Sequence, residues 1–296
     1  MSRKENEQEP KKKKKGGEIL LTLILIAAIG VFGYAAYNLF HIYTEYKKGS
    51  DEYNSIARMA VTERDPDAQD PAAAAAAEVS QVKAPMTIDF DSLRAINDDV
   101  IGWIYVEALD GVNYPIVRGI DNSYYLHQTY QKNYNFAGTI FADCENHDDF
   151  NDCNTIVYGH NMKNGSMFGQ LKKFSENSDA YNKSKYFWIF TPTADYRYEI
   201  ISAYTTPVNS STYTLFKGPG KEFLDYLDNV VSLSDIPTTP GNLTVNDRIV
   251  TLSTCTGNEA TRFVVQGKRV DTISHAQTPG AGQEMEHLDV TIESIA

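Results

Sequence analysis

Three side chains in this sequence have the types and spacing that acyl transfer would need. Cys255 closes the run Ile249-Val250-Thr251-Leu252-Ser253-Thr254-Cys255, and seven residues later Arg262 opens a second run ending at Val270. The β-branched and aromatic residues on either side of Thr256-Gly257-Asn258-Glu259 predict two strands joined by a loop. The thiol then stands at the mouth of one strand and the guanidinium at the root of the next. A permanent cation beside a thiol favours the thiolate and can hold the oxyanion of a tetrahedral intermediate. Structure alone is the competing reading, because a free cysteine often serves as a small core hydrophobe. Such a nucleophile needs a base, and histidine is the usual one. Of the six histidines, His41 adjoins an apolar segment, while His275 and His287 lie at or beyond the end of the domain outlined below, leaving His127, His147 and His160. His160 follows the apolar run Thr155-Ile156-Val157-Tyr158 and then Gly159, so its ring projects at a strand end as the thiol does.

These groups need a domain to position them, and the chain shows where it lies. Ile19 to Phe40 is an almost uncharged apolar stretch of 22 residues, long enough as a helix to cross a hydrocarbon core of about 30 Å. Lys11 to Lys15 precede it, so the positive-inside rule keeps the N-terminus in the cytoplasm and exports everything after Phe40. No small-residue cleavage site follows at Asn38-Leu39-Phe40-His41, which reads as an uncleaved single-pass anchor in the cell membrane. Residues 1–17 are then a basic cytoplasmic tail and 18–40 the transmembrane anchor, held by membrane lipid. Residues 41–84 form a helical stalk followed by an Ala, Asp and Pro linker that includes Ala72 to Ala77. Residues 85–275 suffice for one hydrophobic core, and 276–296 read as a flexible tail. The formal charge of −12 is unevenly divided: residues 1–17 carry seven cations against Glu5, Glu7 and Glu9, a net +4 that leaves −16 on the remainder. An exported domain this acidic excludes nucleic acid, whose phosphates demand clustered Lys and Arg.

Within the domain the pattern is mainly β. Strands are expected at Val100 to Val106, Val112 to Val117, Gly138 to Ala142, Thr155 to Tyr158, Tyr186 to Phe190, Tyr196 to Thr205, Asp247 to Ser253 and Arg262 to Val270. Helices are expected at Ser166 to Phe174 and Lys221 to Ser234. Many short strands without a long βα alternation predict a barrel or sandwich.

Several segments carry a resemblance in order along the domain. They are Asp98-Asp99-Val100-Ile101-Gly102-Trp103-Ile104, Asn113-Tyr114-Pro115-Ile116-Val117, Asp121-Asn122-Ser123-Tyr124-Tyr125-Leu126, Gly138-Thr139-Ile140-Phe141, Tyr158-Gly159-His160-Asn161-Met162, Ser166-Met167-Phe168, and Thr251 to Cys255 with Arg262. Together they resemble the sortases, and among them class B. The helix placed just before the cysteine strand is similar to the one that distinguishes that class. The resemblance implies a closed β-barrel with a few short helices behind a single N-terminal transmembrane helix, and a cysteine transpeptidase on the outer face of Gram-positive cells. It implies that Cys255 attacks a C-terminal sorting signal (LPxTG-like or NPQTN-like) of a secreted surface protein after its Thr, giving a thioester. His160 would move protons at the leaving and incoming amines, and Arg262 would bind the signal and the oxyanion. The acceptor is implied to be an amine of a peptidoglycan precursor or of a pilin. Neither metal nor cofactor is required. Asn122, Tyr158 and Ser253 resemble positions lining the substrate groove.

Cys144 and Cys153 flank an acidic loop, where an exported domain could close a disulfide and leave Cys255 as the single free thiol. The same loop lacks the regular ligand spacing of a calcium loop and reads as a solvated acidic segment. Two other classes stay in view: an exported Cys-His peptidoglycan peptidase or transpeptidase, which would cut wall peptides, and a non-catalytic adhesin. Within the sortases, anchoring to the wall is expected and pilin polymerisation is the alternative.

Overall fold

The computed structural model describes residues 15–64, 82–176 and 178–275. The N-terminal tail up to residue 14, the linker at 65–81 and the C-terminal segment 276–296 with His287 lie outside the described residues. Contacts divide the chain into two units, residues 1–48 and 49–296. A single helix, α1 (Lys15–Ala60), contains the expected anchor and stalk. It is long and apolar enough to cross a membrane, and its large apolar residues from Ile19 to Phe40 are exposed. The end of this helix belongs to the second unit. Tyr53, Ile56 and Ala60, one helical face by their spacing, are buried, and the Tyr53 hydroxyl donates to the Gly138 carbonyl at 2.7 Å.

Two short strands, β1 (Val61–Glu63) and β2 (Met86–Ile88), pair antiparallel and close the ends of the linker against each other. Helix α2 (Phe90–Ile96), capped by Asp89, leads into the barrel strands. These are β3 (Val100–Val106), β4 (Asn113–Val117), β5 (Ile140–Ala142), β6 (Asn154–Tyr158), β7 (Tyr186–Phe190), β8 (Ala194–Pro207), β9 (Ile249–Cys255) and β10 (Thr261–Ser274). They close in the order β10-β8-β7-β3-β4-β5-β6-β9. The β4/β5 and β6/β9 pairs are parallel and the rest antiparallel. All eight expected strands form, with β8 and β10 longer than expected.

Helix α5 (Lys221–Ser232) packs on the outside of this barrel, since an eight-stranded barrel is filled by its own side chains. Its buried Phe223, Tyr226, Leu227 and Val230 meet Cys153, Ile201, Tyr204, Ile249 and Val264. The helix expected at Ser166 to Phe174 does not form. Its backbone donors are used elsewhere: Phe168 N donates to the His160 carbonyl, Met167 N to the Tyr114 hydroxyl and Ser166 N to Asn164 Oδ1. Met167 takes φ +52°, and only the short helices α3 (Lys173–Glu176) and α4 (Ser178–Lys183) follow.

Candidate active site

Strand register decides which side chains meet. β9 and β10 pair Cys255 with Arg262 directly, and β6 and β9 pair Tyr158 with Ser253. Residues paired across strands share a face, as do residues two apart. Tyr158, Ser253, Cys255 and Arg262 therefore lie on one face, and His160 continues it beyond Tyr158. That face is the outer one. Nearer its middle it carries Ile249 and Val264 beneath α5, then a buried polar layer in which Gln266 Nε2 donates to the Tyr226 hydroxyl and Thr251 Oγ1 donates to Asn154 Oδ1. The chemistry thus begins where the covering helix ends.

Gly159 turns His160 outward. A Cβ at residue 159 would lie 2.4 Å from Ile140 Cδ1 and 2.7 Å from Phe168 Cδ2, inside the barrel end. The Gly159 amide donates to the Ser253 carbonyl at 3.1 Å, which extends the β6/β9 ladder by one bond and fixes the approach of His160 to Cys255.

These residues line an open cleft, together with Asn122, Leu126, Phe141, Gly159 and Thr254. The cleft brings together all six residues singled out in the sequence: His160, Cys255, Arg262, Asn122, Tyr158 and Ser253. His160 is half-buried, and its Nε2 bonds the Leu126 carbonyl at 2.8 Å. A carbonyl only accepts, so Nε2 carries the hydrogen and Nδ1 is left to exchange a proton. Burial holds the imidazole below its usual value, and the positive charge of Arg262 acts in the same direction. The neutral ring is therefore the resting form at pH 7. Arg262 spends its hydrogen bonds on the Glu259 and Thr261 carbonyls, and among the described residues no carboxylate pairs with it. Its charge is thus available to an anion in the cleft.

Sequence reasoning missed the supports of this arrangement. His127, considered only as a possible base, stacks on His160 with centroids 6.0 Å apart. Asn161 Nδ2 donates to the Cys255 carbonyl at 2.8 Å, and Lys172 Nζ to the Thr256 carbonyl at 2.8 Å, so the loop after the thiol is held from both sides. Tyr213, in the link between β8 and α5, shares a hydrogen bond of 2.9 Å with Ser253 and stacks on Tyr158. Asn161 stood inside a segment already noted; Tyr213 carried no local signal.

The expected disulfide is a correction. Cys144, Cys153 and Cys255 are all free. Cys153 is buried in the apolar cluster beneath α5 while Cys144 sits half-buried beyond β5, and burial pushes both thiols up. The acidic loop between them is solvated as expected at Glu145, His147, Asp148, Asp149 and Asn151, with His147 paired to Asp152 at 2.7 Å; Asp143, just before it, is only 7% exposed. Among the described residues no cluster of His, Cys, Asp or Glu has the arrangement of a metal site.

Comparison with known proteins agrees on a family. The profile described as Sortase domain matches residues 104–270. Sortase B of Listeria monocytogenes is 35% identical over 204 residues, covering 66% of this chain and 79% of the relative. The X-ray structure of sortase B from Clostridium perfringens is 35% identical with a TM-score of 0.58, covering 62% of this chain and 100% of that one. A Staphylococcus aureus sortase B–substrate complex is 32% identical with a TM-score of 0.56, covering 62% of this chain and 84% of that one.

Proposed function

The chain belongs to the sortase family, in class B, and is a cysteine transpeptidase; from that premise we propose that it cleaves a C-terminal sorting signal of secreted proteins after Thr and transfers the acyl group to a cell-wall peptide amine. One observation carries the reading: His160, Cys255, Arg262, Asn122, Tyr158 and Ser253 line a single cleft. In the proposed reaction Cys255 Sγ attacks the Thr carbonyl carbon as its proton passes to Nδ1 of the neutral His160. The Arg262 guanidinium, which no carboxylate among the described residues pairs, stabilises the negative charge on the carbonyl oxygen. Collapse breaks the C–N bond, and the imidazolium returns the proton to the leaving amine, leaving a thioester on Cys255. The acceptor amine reverses these steps, with His160 now taking its proton. An amide is exchanged for a thioester and then for an amide, so the sequence of bonds closes without an outside energy source. Asn122, Tyr158 and Ser253 bind the signal along the cleft wall. Residues 18–40 of α1 span the membrane, with the lysine-rich tail on the cytoplasmic side and the barrel outside.

The test is cleavage of fluorogenic peptides of LPxTG-like, NPQTN-like and SPxTG-like sequence by full-length protein in detergent, beside Cys255→Ala and His160→Ala. Cleavage after Thr, lost in both variants, is the expected result and names the signal. Folded protein that leaves every peptide intact but acts on muropeptides would replace this reading with a wall peptidase.

A further inference from the structure

We propose that Asp143 is a positioning residue for substrate binding: its buried carboxylate fixes the direction in which Asn122 and Tyr158 present hydrogen-bonding groups to the cleft. The inference rests on the reading of this cleft as the sorting-signal site.

Asp143 leaves the end of β5 behind the cleft wall and is not itself among the cleft-lining residues. One carboxylate oxygen, Oδ2, accepts from Asn122 Nδ2 at 2.9 Å and from the Tyr158 hydroxyl at 2.8 Å. The other, Oδ1, accepts from the Glu145 amide at 3.0 Å. Its backbone is fixed as well, because Asp143 N donates to the Ile156 carbonyl at 2.9 Å and the Asp143 carbonyl accepts from Asn146 N at 3.0 Å. A single buried carboxylate thus joins a loop residue and a strand residue that are 36 positions apart in sequence.

The consequence is a set of directions. An ionised carboxylate only accepts, so both partners must donate to it. Tyr158 uses its one hydrogen on Asp143 and can offer the cleft only oxygen lone pairs. It stays a neutral phenol, since burial and the neighbouring carboxylate raise it well above its ordinary value. The Asn122 amide is held at both ends, for its Oδ1 accepts the Cys144 amide at 2.9 Å. It cannot flip, and presents one remaining N–H and one lone pair. An extended peptide exposes alternating N–H and C=O groups, which this fixed pair of an acceptor and a donor–acceptor complements.

Substitution exposes the mechanism. In Asp143→Asn the side-chain amide has one acceptor oxygen. If that oxygen serves Asn122 and Tyr158, the NH2 group faces the Glu145 N–H, donor against donor; if it turns, both cleft residues lose their acceptor. The experiment measures kcat and KM of the full-length enzyme on the peptide it cleaves best, for Asp143→Asn, Asp143→Ala, the double variant Asn122→Ala/Tyr158→Phe, and the triple variant with Asp143→Ala. Loss of charged hydrogen bonds predicts a fall in kcat/KM of about tenfold or more, carried by KM. In the background lacking both partner groups, Asp143→Ala should change kcat/KM by less than about twofold, because residues acting as one unit are not additive. A full independent loss in that background, or a loss carried by kcat with KM unchanged, overturns the proposal. Crystal structures of wild type and Asp143→Ala, which removes the acceptor altogether, give a readout that needs no turnover. Release of the Tyr158 hydroxyl and the Asn122 amide from their present positions supports the role, and unchanged positions overturn it. A wild-type enzyme that cleaves no sorting peptide would remove the substrate reading, and the crystallographic comparison would still decide whether Asp143 holds the pair.

Discussion

Gly159→Ala should injure fold and chemistry together, because one missing methyl group lets β6 close onto the barrel end. The added Cβ would lie 2.4 Å from Ile140 Cδ1 and 2.7 and 2.8 Å from Phe168 Cδ2 and Cγ. Carbon atoms settle at about 3.5–4.0 Å, so each contact is short by roughly 1 Å. The Ile140 methyl can rotate aside. The Phe168 ring cannot follow as easily: it is fully buried, and its amide is tied to the His160 carbonyl at 3.0 Å. Relief must then come from the backbone that aims His160. Overpacking of this kind costs about 1–3 kcal/mol, which for a domain of this size lowers Tm by about 3–10 °C. A displacement of about 1 Å at a reacting group costs about 10²-fold in rate. The assay pairs calorimetry with peptide-cleavage kinetics and with alkylation of Cys255 by iodoacetamide, which reports the thiol without the peptide. The expected pattern is a lower Tm, kcat/KM down by about two orders of magnitude, and alkylation changed far less. Wild-type Tm and wild-type kcat/KM in Gly159→Ala would refute the claim that this position is closed to a side chain and that it steers the histidine.

Arg262→Lys should lose most of the activity lost in Arg262→Ala, about 10²–10³-fold in kcat, since one ammonium cannot reproduce a planar fork of donors; a lysine variant at the wild-type rate would reassign the charge a merely long-range role. His160 is neutral in the fold and held below its ordinary value by burial, so the unfolded chain binds more protons as pH falls. Its contribution to stability is present above about pH 6.5 and is lost as pH falls from there through the folded value. Chemical denaturation at pH 7.5 and 5.5 should therefore show a larger acid loss in wild type than in His160→Gln, and equal losses would remove the buried neutral imidazole. Unreduced, denatured protein should take up three alkylating groups, one for each free cysteine; uptake of one would restore the Cys144–Cys153 bond.

How much of this was legible in the sequence depends on the range over which each signal acts. The strands, α5 and the apolar part of α1 follow from periodicity and composition within one window, and the thiol, imidazole and guanidinium were marked by residue type and by their places at strand ends. The segment Ser166 to Phe174 reads as a helix locally and fails because Met167 takes φ +52°, outside the helical region, and the amides of Gly169, Leu171 and Lys173 close three-residue turns onto Ser166, Phe168 and Gln170. Cys144 and Cys153 sit close in sequence, but the chain sends Cys153 into the apolar layer under α5. What the sequence by itself determined is the inventory: an apolar helix, a β domain and three reactive side chains. Only the tertiary structure decided that the parallel pairing of β6 with β9 sets Tyr158 beside Ser253 and brings His160 to Cys255, and that Asp143 turns inward to hold the cleft wall. Register and burial are set by partners far along the chain, and no local pattern encodes them.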